Sequence, residues 1–330
     1  MTPEHVTPRP LPALSSLTPK TRPPGSARIL DGWVNQAQSQ MGPGVDGGRL
    51  GWLIASTVVV AALQRAVDES GSSLFLLKGG TLLQHRLGLA SRATKDVDGL
   101  IRGDLDTFVT TLDRTLELPW GPLTLTRTAI ETIATPARVI QPRRLDVLVA
   151  LKGQTWRRVQ VEISPDEAGA GAESEAFVPP ALHGFGLPEP ERLVGLALRF
   201  QIAQKLHACS DPHNPPAALN DRARDVVDLL LLRELTASVG APTLAELRDA
   251  CEAVFAARAA DAHQLGREPR NWPCLVVAHP HWASDYTRAA TSAGVATSLD
   301  DGVISINDWV HQIATSQQDP ADHPEVLPQP

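Results

Sequence analysis

Leu74-Phe75-Leu76-Leu77-Lys78-Gly79-Gly80-Thr81-Leu82-Leu83-Gln84-His85-Arg86, followed by Lys95-Asp96-Val97-Asp98-Gly99-Leu100-Ile101, decides the reading of this chain. Leu74–Leu77 is an apolar run of strand length. The two glycines end it, and a helical pattern resumes after Thr81. The unit is strand, glycine turn, helix, and residues 95–101 form the next strand. Glycines at a helix start let a phosphate approach the backbone N–H groups exposed there. Thr81 adds a hydroxyl to that cradle, and Lys78 adds a cation. Asp96 and Asp98, two apart on a strand, point to one face. Two carboxylates on one face are how a protein holds Mg²⁺ ions that bridge a triphosphate. A Gly-Gly turn or a D-x-D pair alone is common without any such chemistry; the ordered combination carries the inference.

Outward from this centre, the pattern predicts helices over about 26–40 and 48–69. A further helix spans 104–116, with Leu105, Phe108, Val109 and Leu112 on one face and Asp104 able to cap it. β-like segments follow at 123–127, 144–151 and 157–163, with Gly153-Gln154 as a hairpin turn between the last two. Two-metal chemistry calls for a third carboxylate from a neighbouring strand. Glu162, between Val161 and Ile163, is one candidate, and Asp146, between Leu145 and Val147, is the other.

Beyond a Pro-rich connector the chain reads helical over about 191–210, 221–237, 243–260, 282–294 and 308–315. Lys205 lies on the first of these helices among Leu193, Leu196, Phe200, Ile202, Ala203 and Leu206. A lysine so placed must snorkel or meet an anion. Asp225 and Asp228 share a face of the next helix, and the short connector 210–220 lets Lys205 approach Asp225. The anion is therefore either Asp225 or a bound phosphate. The expected plan is a Pro-rich disordered tail over 1–25, an α/β domain over 26–165, a connector over 166–189, a helical domain over 190–315 and a disordered tail over 316–330.

Composition narrows the function. The 330 residues carry a net charge of −7, which argues against a coat-type nucleic-acid binder. Yet residues 78–160 hold 13 Lys/Arg against 8 Asp/Glu, a locally basic stretch suited to an anionic ligand. Seven prolines within the first 24 residues break any signal-peptide pattern, and the longest apolar run is too short for a membrane span. Cys209, Cys251 and Cys274 make no disulfide framework or C-x-x-C site, which fits a reducing, cytoplasmic setting. His207, His213, His279 and His281 lack zinc spacing. Trp272, Trp282 and Trp309 read as packing residues.

The ordered motifs F-L-L-K-G-G-T-L-L, R-A-T-K-D-V-D, V-E-I, A-Q-K-L-H-A and R-A-R-D-V-V-D-L resemble the AbiEii-type toxin nucleotidyltransferases, which include the MenT toxins, in the DNA polymerase β-like superfamily. The likeness runs over about 51–232. It implies an α/β (α+β) fold, with a mixed-sheet nucleotidyltransferase lobe and a C-terminal all-helical lobe. By likeness Gly80 and Thr81 match the phosphate motif, Asp96 and Asp98 the metal pair, and Glu162 the third carboxylate. Lys205 matches the nucleotide-contacting lysine and Asp225 the late aspartate of the helical lobe. The resemblance implies an enzyme with a two-metal Mg²⁺ site, moving a nucleoside monophosphate from an NTP to an RNA end, tRNA foremost, or to a protein. It also implies a toxin role in phage defence, opposed by a separately encoded antitoxin. Three features depart from the pattern: fourteen residues separate Thr81 from Asp96, a slightly long interval; Gln204 stands where a glutamate is usual; and Gln201-Ile202 replaces an upstream acid-plus-lysine pair. The alternatives are an aminoglycoside-type small-molecule nucleotidyltransferase and a non-catalytic binding module.

Overall fold

The computed structural model describes residues 14–41, 47–135 and 138–316. The chain forms two compact units, one running to Ala197 and taking in Thr287–Ala296, the other taking Leu198–Tyr286 and the chain from Thr297. The first break therefore falls at 197/198, not at the expected 189/190. Residues 166–189, expected to be a connector, belong to the first unit.

In the first unit the elements follow the order α1 (Ala27–Met41), α2 (Gly47–Leu63), β1 (Phe75–Lys78), α3 (Gly79–Leu87), β2 (Asp96–Ile101), α4 (Leu105–Leu116), β3 (Leu123–Arg127), β4 (Glu131–Thr132), β5 (Arg143–Leu151), β6 (Gln154–Pro165), β7 (Ser174–Phe177) and β8 (Leu193–Leu196). They build one sheet in the order β3-β5-β6-β2-β1-β8-β7, with β4 attached to β5. The sheet is mixed, as expected: β2 runs parallel to β6 and β1 parallel to β8, while the other pairs are antiparallel.

Alternation along the strands gives the sheet two unlike faces. Leu145, Val147 and Val149 of β5 and Val159, Val161 and Ile163 of β6 are buried beneath α2, with α1 also against β6 and α4 against β3. Helix α2 is almost wholly buried because its run from Leu53 to Leu63 carries no charge. The residues between these buried positions, Arg144, Asp146, Arg158, Gln160 and Glu162, form the other, polar face. Asp104 caps α4 by accepting from the Thr107 N–H, as its position predicted.

Three expectations are corrected. Residues 193–196, expected to open a helix, form strand β8. Leu193-Val194-Gly195-Leu196 suits either form, but a Cβ at Gly195 would strike Leu82, and the Gln64 side chain bonds both the N–H and the carbonyl of Val194. Helix α2 stops at Leu63, not near residue 69, because the chain must turn back for Val67 to bridge Ser73. Of the expected structureless tail, residues 1–13 lie outside the described residues, as do 317–330 of the C-terminal one. Residues 14–25 are not loose: the Lys20 N–H donates to the His183 carbonyl, and the Leu17 side chain lies against Gly184. Prolines forbid helix there but leave an extended segment able to dock.

The second unit contains α5 (Leu198–Cys209), α6 (Ala223–Val239), α7 (Leu244–Gln264), the start of α8 (Ala283–Ala293) and α9 (Leu299–Thr315). Helix α5 packs on α6 and α7, and α9 packs on the same two helices. A capping box at Thr243 and Glu246 fixes the start of α7. Ser298 caps α9, whose start at Leu299 lies nine residues ahead of the expected 308.

Candidate active site

Residues of one row cross the polar face of the sheet. Lys78 of β1 is paired in register with Asp98 of β2, Asp98 with Glu162 of β6, Glu162 with Arg144 of β5, and Arg144 with Glu131 of β4. Two carboxylates on adjacent strands are thus flanked by a cation on each side. Strand spacing puts the Asp98 and Glu162 backbones about 4.8 Å apart. Directly opposed like charges destabilise a sheet unless positive charge lies close. Asp96 lies one step along the same face, in register with Gln160.

The turn between β1 and α3 abuts this row. Gly79 has φ +68°, and a Cβ there would run into Asp98 Oδ2, so both the backbone conformation and the carboxylate require glycine. Lys78 Nζ donates to Ser164 Oγ at 2.6 Å. Thr94 Oγ1 donates to Asp96 Oδ1 at 3.0 Å. Thr81 is fully buried and its hydroxyl donates to the Asp96 carbonyl. The expectation that this hydroxyl joins an open phosphate cradle is corrected accordingly: it ties α3 to β2, because the helix turns it into the core rather than outward. Gly80 is buried too, and a Cβ there would press on Arg92.

One oxygen of the Glu162 carboxylate is taken by donors on the same face. Arg144 Nε and Nη2 both donate to its Oε1, at 2.9 and 2.6 Å, and Gln160 Nε2 donates to the same atom at 3.1 Å. The pair keeps the Arg144 guanidinium more firmly protonated, through the hydrogen bond and charge of Glu162, with Glu131 and Asp96 adding attraction. Asp146, the rival third acid, lies one strand further from Asp98 and is bound by Arg158. Among the described residues no group of three His, Cys, Asp or Glu side chains is set to hold a metal ion. The expected convergence of Asp96, Asp98 and Glu162 is thus met by the backbone and not by the side chains. The donor set on this face, Asp96, Asp98 and Glu162, is all carboxylate, the chemistry that suits a hard divalent cation.

In the helical unit, Lys205 is buried and donates to Asp225 Oδ1 and Asp228 Oδ2, both at 2.6 Å. The lysine on an apolar helix has met two carboxylates, and Asp228, fully buried, was missed as a partner although the D-x-x-D spacing announced it. Arg222 lies 3.7 Å from Asp225.

The remaining candidates separate clearly. His213, His279 and His281 stack, with ring centroids 4.2, 4.7 and 5.7 Å apart, without forming a metal group. His207 lies elsewhere, on Phe255 and Arg258. Trp282 and Trp309 are core residues, and Trp272 lies against Phe255. Burial pushes the Cys274 thiol up to about 12 and raises Cys209 and Cys251 as well, so none is a thiolate nucleophile near neutrality.

A sheet bearing a row of acids and bases beside a glycine turn, joined in sequence to a helical unit, is the frame of a phosphoryl-transfer enzyme. The family model described as nucleotidyl transferase AbiEii toxin, type IV toxin–antitoxin system, matches residues 61–310. The chain belongs to this family and is a nucleotidyltransferase. Among solved structures it is similar to MenT4, the nucleotidyltransferase toxin Rv2826c of Mycobacterium tuberculosis H37Rv, with 16% identity, a TM-score of 0.48, and coverage of 86% of this chain and 98% of that one. Comparison with curated proteins gives no match. No helix among the described residues is long and apolar enough to cross a membrane.

Proposed function

We propose that this toxin moves a nucleoside monophosphate from an NTP to an RNA end, tRNA foremost, in the cytoplasm, with Mg²⁺ held by Asp96, Asp98 and Glu162. The observation that carries the reading is the in-register pair Asp98–Glu162 beside the Gly79-Gly80 turn. Bound Mg²⁺ supplies charge neutralisation at the leaving pyrophosphate and acidifies the attacking hydroxyl. The protein's part is to hold the reactants. The first turn of α3 offers backbone N–H groups to phosphate oxygens. Lys78, on the same face as Asp98, offers a cation to the triphosphate. In the helical unit the ammonium of Lys205 is engaged by Asp225 and Asp228, a buried trio that ties α5 to α6. The acceptor oxygen bonds to the α-phosphorus while the bond from that phosphorus to pyrophosphate breaks. A separately encoded antitoxin opposes the activity, in defence against phage.

Incubation of the full chain with each α-labelled NTP, Mg²⁺ and total RNA tests this. Label in RNA that disappears with EDTA supports it. Label that goes only to a small molecule or to protein overturns the RNA assignment, and transfer that survives EDTA overturns the metal assignment.

A further inference from the structure

The Arg144–Glu162 pair stands where a ligand set should be. Of the three acids, Glu162 is the one bound by a guanidinium, which reaches one of its oxygens through two N–H groups. Arg144 itself is 42% exposed, so it exchanges this partner for water at little cost, whereas the Glu162 side chain is 26% exposed. Gln160 donates to the same oxygen, which leaves Oε1 saturated by donors and shut to a cation. The arrangement is selective. Arg158, on the same polar face, pairs with Asp146 and not with Glu162.

We propose that Arg144 is an internal counter-ion that competes with the divalent metal for Glu162, so that both oxygens of this acid are open to the metal only when the ion pair opens. Arg144 is a positioning residue: it acts through Glu162. In the metal-free protein it offsets the repulsion between Glu162 and Asp98. When a cation takes over that role, the guanidinium swings to solvent. Arg144 thereby sets the metal concentration at which the site assembles. The proposal rests on the reading of Glu162 as a metal ligand.

The test is Mn²⁺ binding to the full chain without NTP or RNA, followed through the paramagnetic resonance signal of free Mn²⁺. Glu162→Gln should weaken binding; if it does not, the ligand reading itself fails, and the proposal with it. Given that loss, Arg144→Gln should tighten binding about two- to fivefold, the size of a half-exposed ion pair. Arg144→Lys, which keeps the charge but loses the two-pronged contact, should fall between. Arg158→Gln removes the same charge from the same face and should change affinity less than Arg144→Gln. In a Glu162→Gln background, Arg144→Gln should have no further tightening effect. Equal effects of Arg144→Gln and Arg158→Gln would mean that only net charge matters, and would overturn the proposal. So would unchanged or weaker binding by Arg144→Gln when Glu162→Gln has weakened it.

Discussion

Asp98 and Glu162 face one another across adjacent parallel strands, two acids in direct register with Lys78 and Arg144 on their outer sides. This like-charge pair lowers stability unless a cation is near. Asp98→Asn should therefore abolish transfer without lowering the melting temperature. A metal ligand contributes several kcal/mol in the transition state, and about 1.36 kcal/mol is tenfold, so the loss should exceed roughly a hundredfold. Activity and thermal melting on the same sample check both halves.

Gly79 is held at φ +68° with Asp98 Oδ2 where a Cβ would go. Gly79→Ala should cost about 1–2 kcal/mol in backbone strain. It should also push the Asp98 carboxylate aside, so transfer should fall by more than the loss of folded protein accounts for. Gly71→Ala, at another positive φ but with open space around its Cβ, is the control: it should bring strain with full specific activity.

Lys205 is the shared partner of Asp225 and Asp228, all three largely buried. Lys205→Ala leaves two carboxylates together without their cation. It should destabilise the helical unit by about 3–5 kcal/mol. Urea denaturation measures this directly. An undiminished midpoint would mean that the trio is not structural and that the ammonium serves a ligand alone.

Burial holds the His85 imidazole down at about 4, where it contacts Thr57 Oγ1 at 3.2 Å and the Thr81 carbonyl at 2.8 Å. Below about 6.5 the unfolded chain binds a proton that the folded chain refuses. Stability is therefore whole above that pH and is lost as pH falls towards 4, by roughly 3 kcal/mol from this group. Denaturation midpoints at pH 7 and pH 4.5 should diverge more for the native chain than for His85→Gln, which does not titrate.

The strand–turn–helix core and the D-x-D strand were legible because period and glycine placement agree there. Leu193–Leu196 was not, since four apolar residues fit a strand or a helix until β7 and β1 lie on either side. Strand β7 itself hides in a Gly/Ala/Glu loop, being a short edge strand with two exposed positions. The acids of the site were named from sequence, but Arg144 as the partner of Glu162 was not. That pair depends on the register of a hairpin with a shift between Val149 and Ala150, and no local spacing encodes it. Thr81 was misdirected for a similar reason: its place in the motif suggests an outward hydroxyl, while the packing of α3 on β2 buries it.

The most direct test of the account is Mg²⁺-dependent transfer from labelled NTP to RNA by Glu162→Gln and by Asp146→Asn, side by side with the native chain. Glu162 is in register with Asp98, and Asp146 lies one strand further away, bound by Arg158. The account predicts that Glu162→Gln loses transfer while Asp146→Asn keeps most of it. Full activity in Glu162→Gln, with loss in Asp146→Asn, would contradict it.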